Sequence, residues 1–481
     1  IRLITYLVRY FSLRRWVRLV LSLRQVLDSM ESTDGNIQIK DGTVTVGATD
    51  PSGVVVQAGD MTAKKDISMN HSMVNVLGGQ KSSEGSISVT NGSEVYVNED
   101  QQAHGSISVN GSELYVGGSQ VAETGGIQIA DGAYVAVLED QQAAGDISID
   151  GTSEVEVLGS QTSTNGAITM SNGSKVKVDG DQQASGTIKV DKADVYIGGT
   201  QKSDTGNIVI RDNAHESVFG DQTAEAGSII VAKDSTLTVG AKDEDGNVIS
   251  QGDQWAAQNI KIVAGSAVEV IGDQTARDED IIVKGSTLTV GAIQENAPLV
   301  PGWPSTYELI GGNQTAGGNI VLVNDNKVDV LGDQDAGASI IVKKTTLTVG
   351  AKADDGKVVH AGDQTADGNI VIVKDSDVAI LGNEMAGGDI VVKDSTLKVG
   401  ELEHISIMPW PAFDWLHGGD QTANGNIFIS NADVDVLRNQ QAVTGAISIQ
   451  KGSDVTISAS ASSKMATREW ILFFIVFLLI F

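Results

Sequence analysis

Two short segments in the second half of the chain combine proline with aromatic side chains. They are ENAPLVPGWPSTYELIGGNQ (295–314) and ELEHISIMPWPAFDWLHGGDQ (401–421). Their Trp303, Tyr307, Trp410, Phe413 and Trp415 offer flat faces on which sugar rings stack, or bulky anchors for a protein partner. These five are the candidate ligand-binding residues. The bland alternative is that they fold back and cover the molecule's own side as a local cap. Cleavage of a polysaccharide would need clustered acids, or a Lys/Arg with calcium, beside the aromatics. Asp414 within the second segment and Glu308 beside Tyr307 do not make such a cluster, so the expectation is a binding protein and not an enzyme.

Other chemistry is thinly supplied. His71, His104, His215, His360, His404 and His417 are scattered without paired metal spacing, and no metal or cofactor is expected. A Gly-Asp column (Asp60, Asp181, Asp221, Asp253, Asp273, Asp333, Asp363, Asp420) recurs before a glutamine. The glycine-rich calcium nonapeptide is missing, so solvated turn residues are the simpler reading. Nucleophile elbow, P-loop and dinucleotide fingerprints are not found. Thr236/Thr238, Thr287/Thr289 and Thr346/Thr348 suggest a flat ice-binding face, but Glu269, Asp329 and Asp377 interrupt that row. Asn-Gly-Ser at Asn91, Asn110 and Asn172 matches a glycan acceptor and equally an ordinary tight turn.

What must position the aromatic segments is a repeat. Alignment on Gly-x-Ile-x-Val gives a unit of about twenty residues, as in GSISVTNGSEVYVNEDQQAH (85–104) and GNIVIVKDSDVAILGNEMAG (368–387). Each unit reads as a strand (Ile370, Ile372), a turn, a second strand (Val378, Ile380) and a short third segment after Gly382. Apolar residues alternate with polar ones, the period of strands. One unit has two open edges and almost no core; stacked units pair each strand with its copy about 4.8 Å away. The expectation is all-β: a single right-handed parallel β-helix of about eighteen coils, on the order of 85 Å long.

A glutamine column fixes the register. Gln80, Gln120, Gln161, Gln201, Gln222, Gln274, Gln314, Gln334, Gln364 and Gln421 each precede Ala or Ser by two residues. Stacked amides of this kind pass hydrogen bonds along the axis. From residue 206, insertions follow the second strand of alternate units. Two are Asp/Gly turns (241–254, 351–364) and two are the aromatic segments, so 206–317 and 318–424 form a larger duplication. Because they share one place in the coil, all four should protrude from one side. The organisation expected is a basic N-terminal segment (1–34), plain coils (35–205), coils with protruding loops (206–458) and a linker with an apolar tail (459–481).

The ends differ from the rest. Residues 1–30 interleave Arg9, Arg14, Arg15, Arg18 and Arg24 with apolar residues, which fits an amphipathic membrane-surface helix and equally upstream translation or a fragment edge. The tail WILFFIVFLLIF (470–481), as a helix about 18 Å long, falls short of a bilayer core of about 30 Å. Membrane association through the termini is therefore one partner expectation. A formal charge of −29 argues against nucleic acid, whose phosphates need a basic footprint. The chain has no cysteine, which excludes disulfide and thiolate chemistry.

The motif Gly-x-Gln-x-Ala-x-Gly-x-Ile-x-Val with its second Val-x-Val strand, clearest in VLGDQDAGASIIV (330–342) and ILGNEMAGGDIVV (380–392), resembles the haemagglutinin-type repeats of filamentous-haemagglutinin-like bacterial exoproteins. The resemblance spans about residues 35–458 at the level of repeat pattern. It implies a right-handed β-helix exported to the bacterial surface for adhesion, or carrying a distal effector. No secretion-domain motif, C-terminal barrel or toxin domain accompanies it. The functional expectation is a secreted or cell-surface rod that binds a glycan or protein of a host or neighbouring cell through its loops. A polysaccharide-active β-helix enzyme and a purely structural spacer are the alternatives.

Overall fold

The computed structural model describes residues 17–19, 24–297, 305–405 and 413–458. Strands lie where the period-two pattern puts them, three to a coil. In one plain coil these are Ile87–Thr90, Glu94–Val97 and Gln101–Ala103. Each pairs in parallel with its copy in the next coil, so Ile87 faces Ile107, Val95 faces Leu114 and Gln101 faces Gln120. The result is a parallel β-solenoid with a ladder of 18 third strands. No helix occurs among the described residues.

The core is a set of columns. From Ile37 to Ile427 the first inward position of every coil is a buried isoleucine, for example Ile147, Ile168 and Ile188. Burying one such side chain contributes about 1.5–3 kcal/mol. No aromatic side chain is among the buried residues described; apart from the glutamine column and turn serines the core is almost entirely Ile, Val, Leu, Met and Ala. Between first and second strands the chain turns through the left-handed region in nearly every coil, at Asn91/Gly92, Asp131/Gly132, Asn172/Gly173 and Asp212/Asn213. This is the physical role of two Asn-Gly-Ser motifs: Asn91 and Asn172 take positive φ, while Ser93 and Ser174 are buried. The Ser93 hydroxyl donates to the Thr90 carbonyl (2.7 Å) and accepts the Ser72 N–H (3.2 Å).

The glutamine column is an amide ladder in the dry core. Each Nε2 donates to the Oε1 one coil below: Gln101 to Gln80 (2.7 Å), Gln120 to Gln101 (2.8 Å), Gln161 to Gln141 (2.7 Å), Gln334 to Gln314 (2.7 Å). All ten glutamines named from the sequence belong to it and are buried. So do Gln101, Gln141, Gln182, Gln254 and Gln440. In the Gln-Gln pairs, the first glutamine points inward; its Gln-x-Ala spacing was the signal. The ladder starts on sulfur, where Gln80 Nε2 meets Met61 Sδ at 3.4 Å.

The Gly-Asp column also has a structural task beyond solvation. Asp60, Asp181, Asp253 and Asp273 each accept a backbone N–H from the following coil, at Gly79 (2.9 Å), Thr200 (2.7 Å), Asp273 (2.8 Å) and Asn313 (2.9 Å). A second column before the first strand does the same: Asp66 to Ser86, Asp146 to Ala167, Asn207 to Ser228. These carboxylates and amides staple corners where the ladder lacks a strand partner.

Two expectations need correction. The described part of the N-terminal segment is strand and not helix. Val17–Leu19 and Arg24–Val26 pair in parallel with Ile37–Ile39 and Val44–Val46 and extend the solenoid. The first half is also not entirely plain. Residues 47–58 form an antiparallel hairpin, with Gly47 facing Ala58. Its turn is closed by Asp50, whose Oδ1 accepts the N–H groups of Ser52 (2.8 Å) and Val54 (3.0 Å).

Candidate functional site: a wall of hairpins

All the insertions leave the coil between the second and third strands, and glycine makes the exit. The residue after the second strand has φ +97° at Gly47, +88° at Gly240, +93° at Gly291, +104° at Gly350 and +92° at Gly400. A Cβ at Gly240 would lie 2.7 Å from Ile271 Cβ and 2.9 Å from the Ser250 carbonyl oxygen. Only glycine adopts this conformation without strain. Plain coils put other residues there, such as Leu77, Asn98, Leu138 and Leu158, or a glycine without the positive φ, as at Gly117 and Gly198.

Beyond the glycine each insertion is a two-stranded hairpin. The pairs are Ala241–Lys242 with Val248–Ser250, Ala292–Asn296 with Thr306–Ile310, Ala351–Lys352 with Val358–His360, and Glu401–Ile405 with Phe413–His417. They stand on alternate coils, hence about 10 Å apart, and each touches the next. Gln294 accepts the Val248 N–H at 2.8 Å and donates to Asn247 at 3.2 Å, joining the first two. Lys357 Nζ lies 5.6 Å from the centre of the Tyr307 ring, joining the second and third. Lys352 pairs with Glu401 at 2.8 Å, joining the third and fourth. The four hairpins are thus one wall along one side of the rod. Lys242 to Glu269 (2.5 Å) and Lys398 to Glu401 (2.9 Å) tie it to the outward face of the second strands.

The electrostatics favour the assembled wall. Burial pushes the Glu401 carboxyl up, but hydrogen bonds from Lys352 and Lys398 outweigh this and hold it below its ordinary value. Asp355 raises the Lys357 ammonium through a direct hydrogen bond and is itself lowered by it. A hydrogen bond from His360 to Asp333 (3.1 Å) raises the imidazole and lowers the carboxyl.

Of the five aromatic candidates, Tyr307 and Trp415 are described with their side chains. Tyr307 is half-buried in the second hairpin, one face taken by Lys357. Trp415 is 50% exposed on the fourth hairpin and does not fold back as a cap. Its indole lies 6.4 Å from the His417 ring, and His417 Nε2 is held by Glu403 at 2.8 Å. Phe413 begins the same strand. Trp303 and Trp410 lie outside the described residues. Tyr307 and Trp415 are not in one pocket; the hairpin carrying Lys357 stands between them. Sequence reasoning located the hairpins but missed what joins them, since Gln294, Lys352 and Lys357 look like ordinary polar residues.

Asp414 is engaged by His404 Nδ1 at 2.8 Å, and Glu308 faces Gln294 across its hairpin. Every histidine has a single polar partner: Asp41, Glu123, Thr236, Asp333, Asp414 and Glu403 in chain order. Among the described residues no group of three or more His, Asp or Glu could hold a metal ion.

Elsewhere, Tyr96 and Tyr115 stack at 4.7 Å with their rings 6° from parallel, and Tyr134 tilts against them at 5.4 Å. Tyr96 donates to Glu94 at 2.6 Å, a bond that helps push its phenol up to about 12. These rings stack along the outer face of the second strands, and Tyr96 remains 38% exposed. An open groove of about 560 Å³ near the C-terminal coils is lined by Asp375, Asp377, Asp394, Asp433 and Asp454. The threonine pairs do point outward, but Ala267/Glu269, Lys327/Asp329 and Asp377/Ala379 occupy the intervening rungs. Comparison with protein-family models, with curated proteins and with solved structures returns no match.

Proposed function

We propose that this chain is a secreted or cell-surface rod that recognises an extended glycan with its wall of hairpins, in the manner of a bacterial adhesin. The observation that carries the reading is the continuity of the wall: four hairpins at a regular spacing, contacting one another, with Trp415 exposed on the last. A rigid scaffold presenting aromatic side chains on loops is how binding sites are commonly built. Spacing of about 10 Å between hairpins suits a chain of sugars lying along the axis better than a compact ligand. The excess of negative charge favours neutral or basic sugars over acidic ones.

The test is glycan-array binding of the full chain beside a variant with Trp303, Tyr307, Trp410 and Trp415 all changed to Ala. We expect selective binding that falls at least tenfold in the variant while the far-ultraviolet dichroism stays the same. Binding that is indifferent to the four substitutions removes the wall from the mechanism. Binding to neighbouring-cell proteins but to no glycan makes the partner a protein. Turnover of any bound polysaccharide makes the chain an enzyme.

A further inference from the structure

Between Gln80 and Gln440 the amide ladder has a single rung that is not glutamine, Glu384. Its carboxyl is fully buried. Above it, Gln421 Nε2 donates to Glu384 Oε2 at 2.7 Å, as the ladder requires. Below it the pattern fails. Everywhere else an Nε2 donates to the Oε1 beneath, but here an oxygen stands in that place. Gln364 Oε1 and Glu384 Oε1 are both buried without a partner, on residues in direct register. Two acceptors facing a missing donor define where one hydrogen must be.

We propose that Glu384 is a neutral carboxylic acid in the folded rod, its Oε1–H donating to Gln364 Oε1, and that the ladder closes only while this proton is present. Protonated glutamic acid is nearly isosteric with glutamine: a hydroxyl replaces the amide N–H₂ and the carbonyl oxygen keeps its role. Loss of the proton to water leaves a carboxylate against an amide oxygen in an apolar interior, where neither is solvated.

The surroundings supply no charge that would hold the ionised form. The inward strand side chains around it, Ile370, Ile372, Val378, Ile380 and Ala386 in its own coil and Ile390, Val392, Leu397 and Val399 in the next, are apolar and buried, and the buried Ser376 and Ser395 at the turns are uncharged. The titratable groups of its own coil (Lys374, Asp375, Asp377) are not buried, nor are Asp363 and Asp367 before it, Asp389, Lys393, Asp394, Lys398 and Glu401 in the next coil, or Asp420, Asp433 and Asp435 beyond. Burial accordingly pushes the Glu384 carboxyl from its ordinary 4.5 to about 7, against the opposing hydrogen bond from Gln421. Glu216, alone in an otherwise apolar column between Val195 and Leu237, is the only other buried acid among the described residues. It leans on the same ladder through Gln201 Nε2. Glu216 stands one coil before the one that carries the hairpin at 241–250, and Glu384 ends the coil just before the one that carries 401–417.

The sign follows from linkage. An acid whose folded value is raised contributes stability that is complete below 4.5 and is lost as pH rises through about 7. The test compares the full chain with Glu384→Gln by urea unfolding at pH 4.5 and pH 8, and by infrared difference spectroscopy at pH 6. At pH 4.5 the two should unfold alike. At pH 8 the glutamine variant should gain on the order of 10²-fold in its folding equilibrium constant. The spectrum of the parent at pH 6 should contain the carbonyl stretch of a buried protonated acid that the variant lacks, with the contribution of Glu216 cancelling. An equal gain at both pH values, or no acid band lost on substitution, overturns the proposal.

Discussion

The coils before residue 206 and those after it share one interior and differ on one flank. Both halves use the same isoleucine column, the same amide ladder and the same Asp or Asn staples. What separates them is the backbone after the second strand: a glycine at positive φ where a hairpin departs, and elsewhere residues such as Leu138 and Asn98, or Gly117 and Gly198 without that positive φ, where the chain passes directly to the third strand. The hairpin at 47–58 makes the comparison sharper. It has the same exit glycine and a similar Asp-Gly turn but no hairpin two coils away, and Val54, Val55 and Val56 are 61%, 40% and 63% exposed. In the wall, Val248 and Val358, the first residues of the returning strands, are half-buried. An isolated two-stranded hairpin is marginal in water. Repetition on alternate coils lets each hairpin lean on the next, so the wall is a cooperative structure and the solitary hairpin is not.

The largest effects should come from the interior and should be the same in both halves. Ile147 in a plain coil and Ile320 in the walled half are both fully buried in the same column. Truncating either to alanine leaves a cavity and should cost about 2–5 kcal/mol, measured by urea unfolding monitored by far-ultraviolet dichroism. Equal costs mean the wall is an attachment to an independent rod. If Ile320→Ala costs markedly less than Ile147→Ala, the hairpins brace the coils beneath them.

How far the sequence carried this architecture depended on whether a feature repeats. Strand positions and the direction of each side chain follow from alternation, because one register alone buries every Ile and Val. The ladder was readable from the Gln-x-Ala or Gln-x-Ser spacing, which also picks Gln101 over Gln102 where two glutamines adjoin, although polarity alone does not say which one points inward. The Asp column was visible as a column, but its partners are backbone N–H groups a coil away and leave no mark in composition. The hairpin at 47–58 occurs once in its half and so lacked the alternation that revealed the others. The contacts that fuse the wall (Gln294 with Asn247, Lys357 with Tyr307) join residues about 47 and 50 positions apart, and nothing in local pattern announces them.

An intermediate effect should mark the flank itself. Gly240→Ala puts a Cβ against Ile271 and the Ser250 carbonyl at a backbone angle that L-residues rarely adopt. It should cost about 1–3 kcal/mol and expose the hairpin at 241–250 to proteolysis. Leu138 occupies the equivalent place in a plain coil and is 55% exposed, so Leu138→Ala should stay within about 0.5 kcal/mol. Limited proteolysis followed by mass mapping reads both. A Gly240→Ala protein that is as stable and as resistant as its parent means the exit angle is not what admits a hairpin at this place.

The smallest effect tests whether the wall is clasped to the rod through a titrating pair. His360 ends the third hairpin and meets Asp333, which also accepts the Asp363 N–H at 2.9 Å as a staple of the rod. The imidazole is raised above 6.5, so its contribution is complete below 6.5 and fades as pH climbs through its folded value. The Asp333 carboxyl is lowered beneath 3.8, so its contribution is present above 3.8 and disappears as pH falls through the folded value. Between those limits the pair is intact. Its side chains are 36% and 53% exposed, and solvent screening keeps it to less than about 1 kcal/mol. His360→Gln should therefore lower stability slightly at pH 5.5 and not at pH 9. His71→Gln in the first half, where the pair with Asp41 is 72% and 55% exposed, should do nothing measurable at either pH. A chemical-shift titration of the six histidines would follow His360 directly. If its midpoint is at or below the ordinary 6.5, the clasp does not form in solution and the hairpin is held by its neighbours in the wall alone.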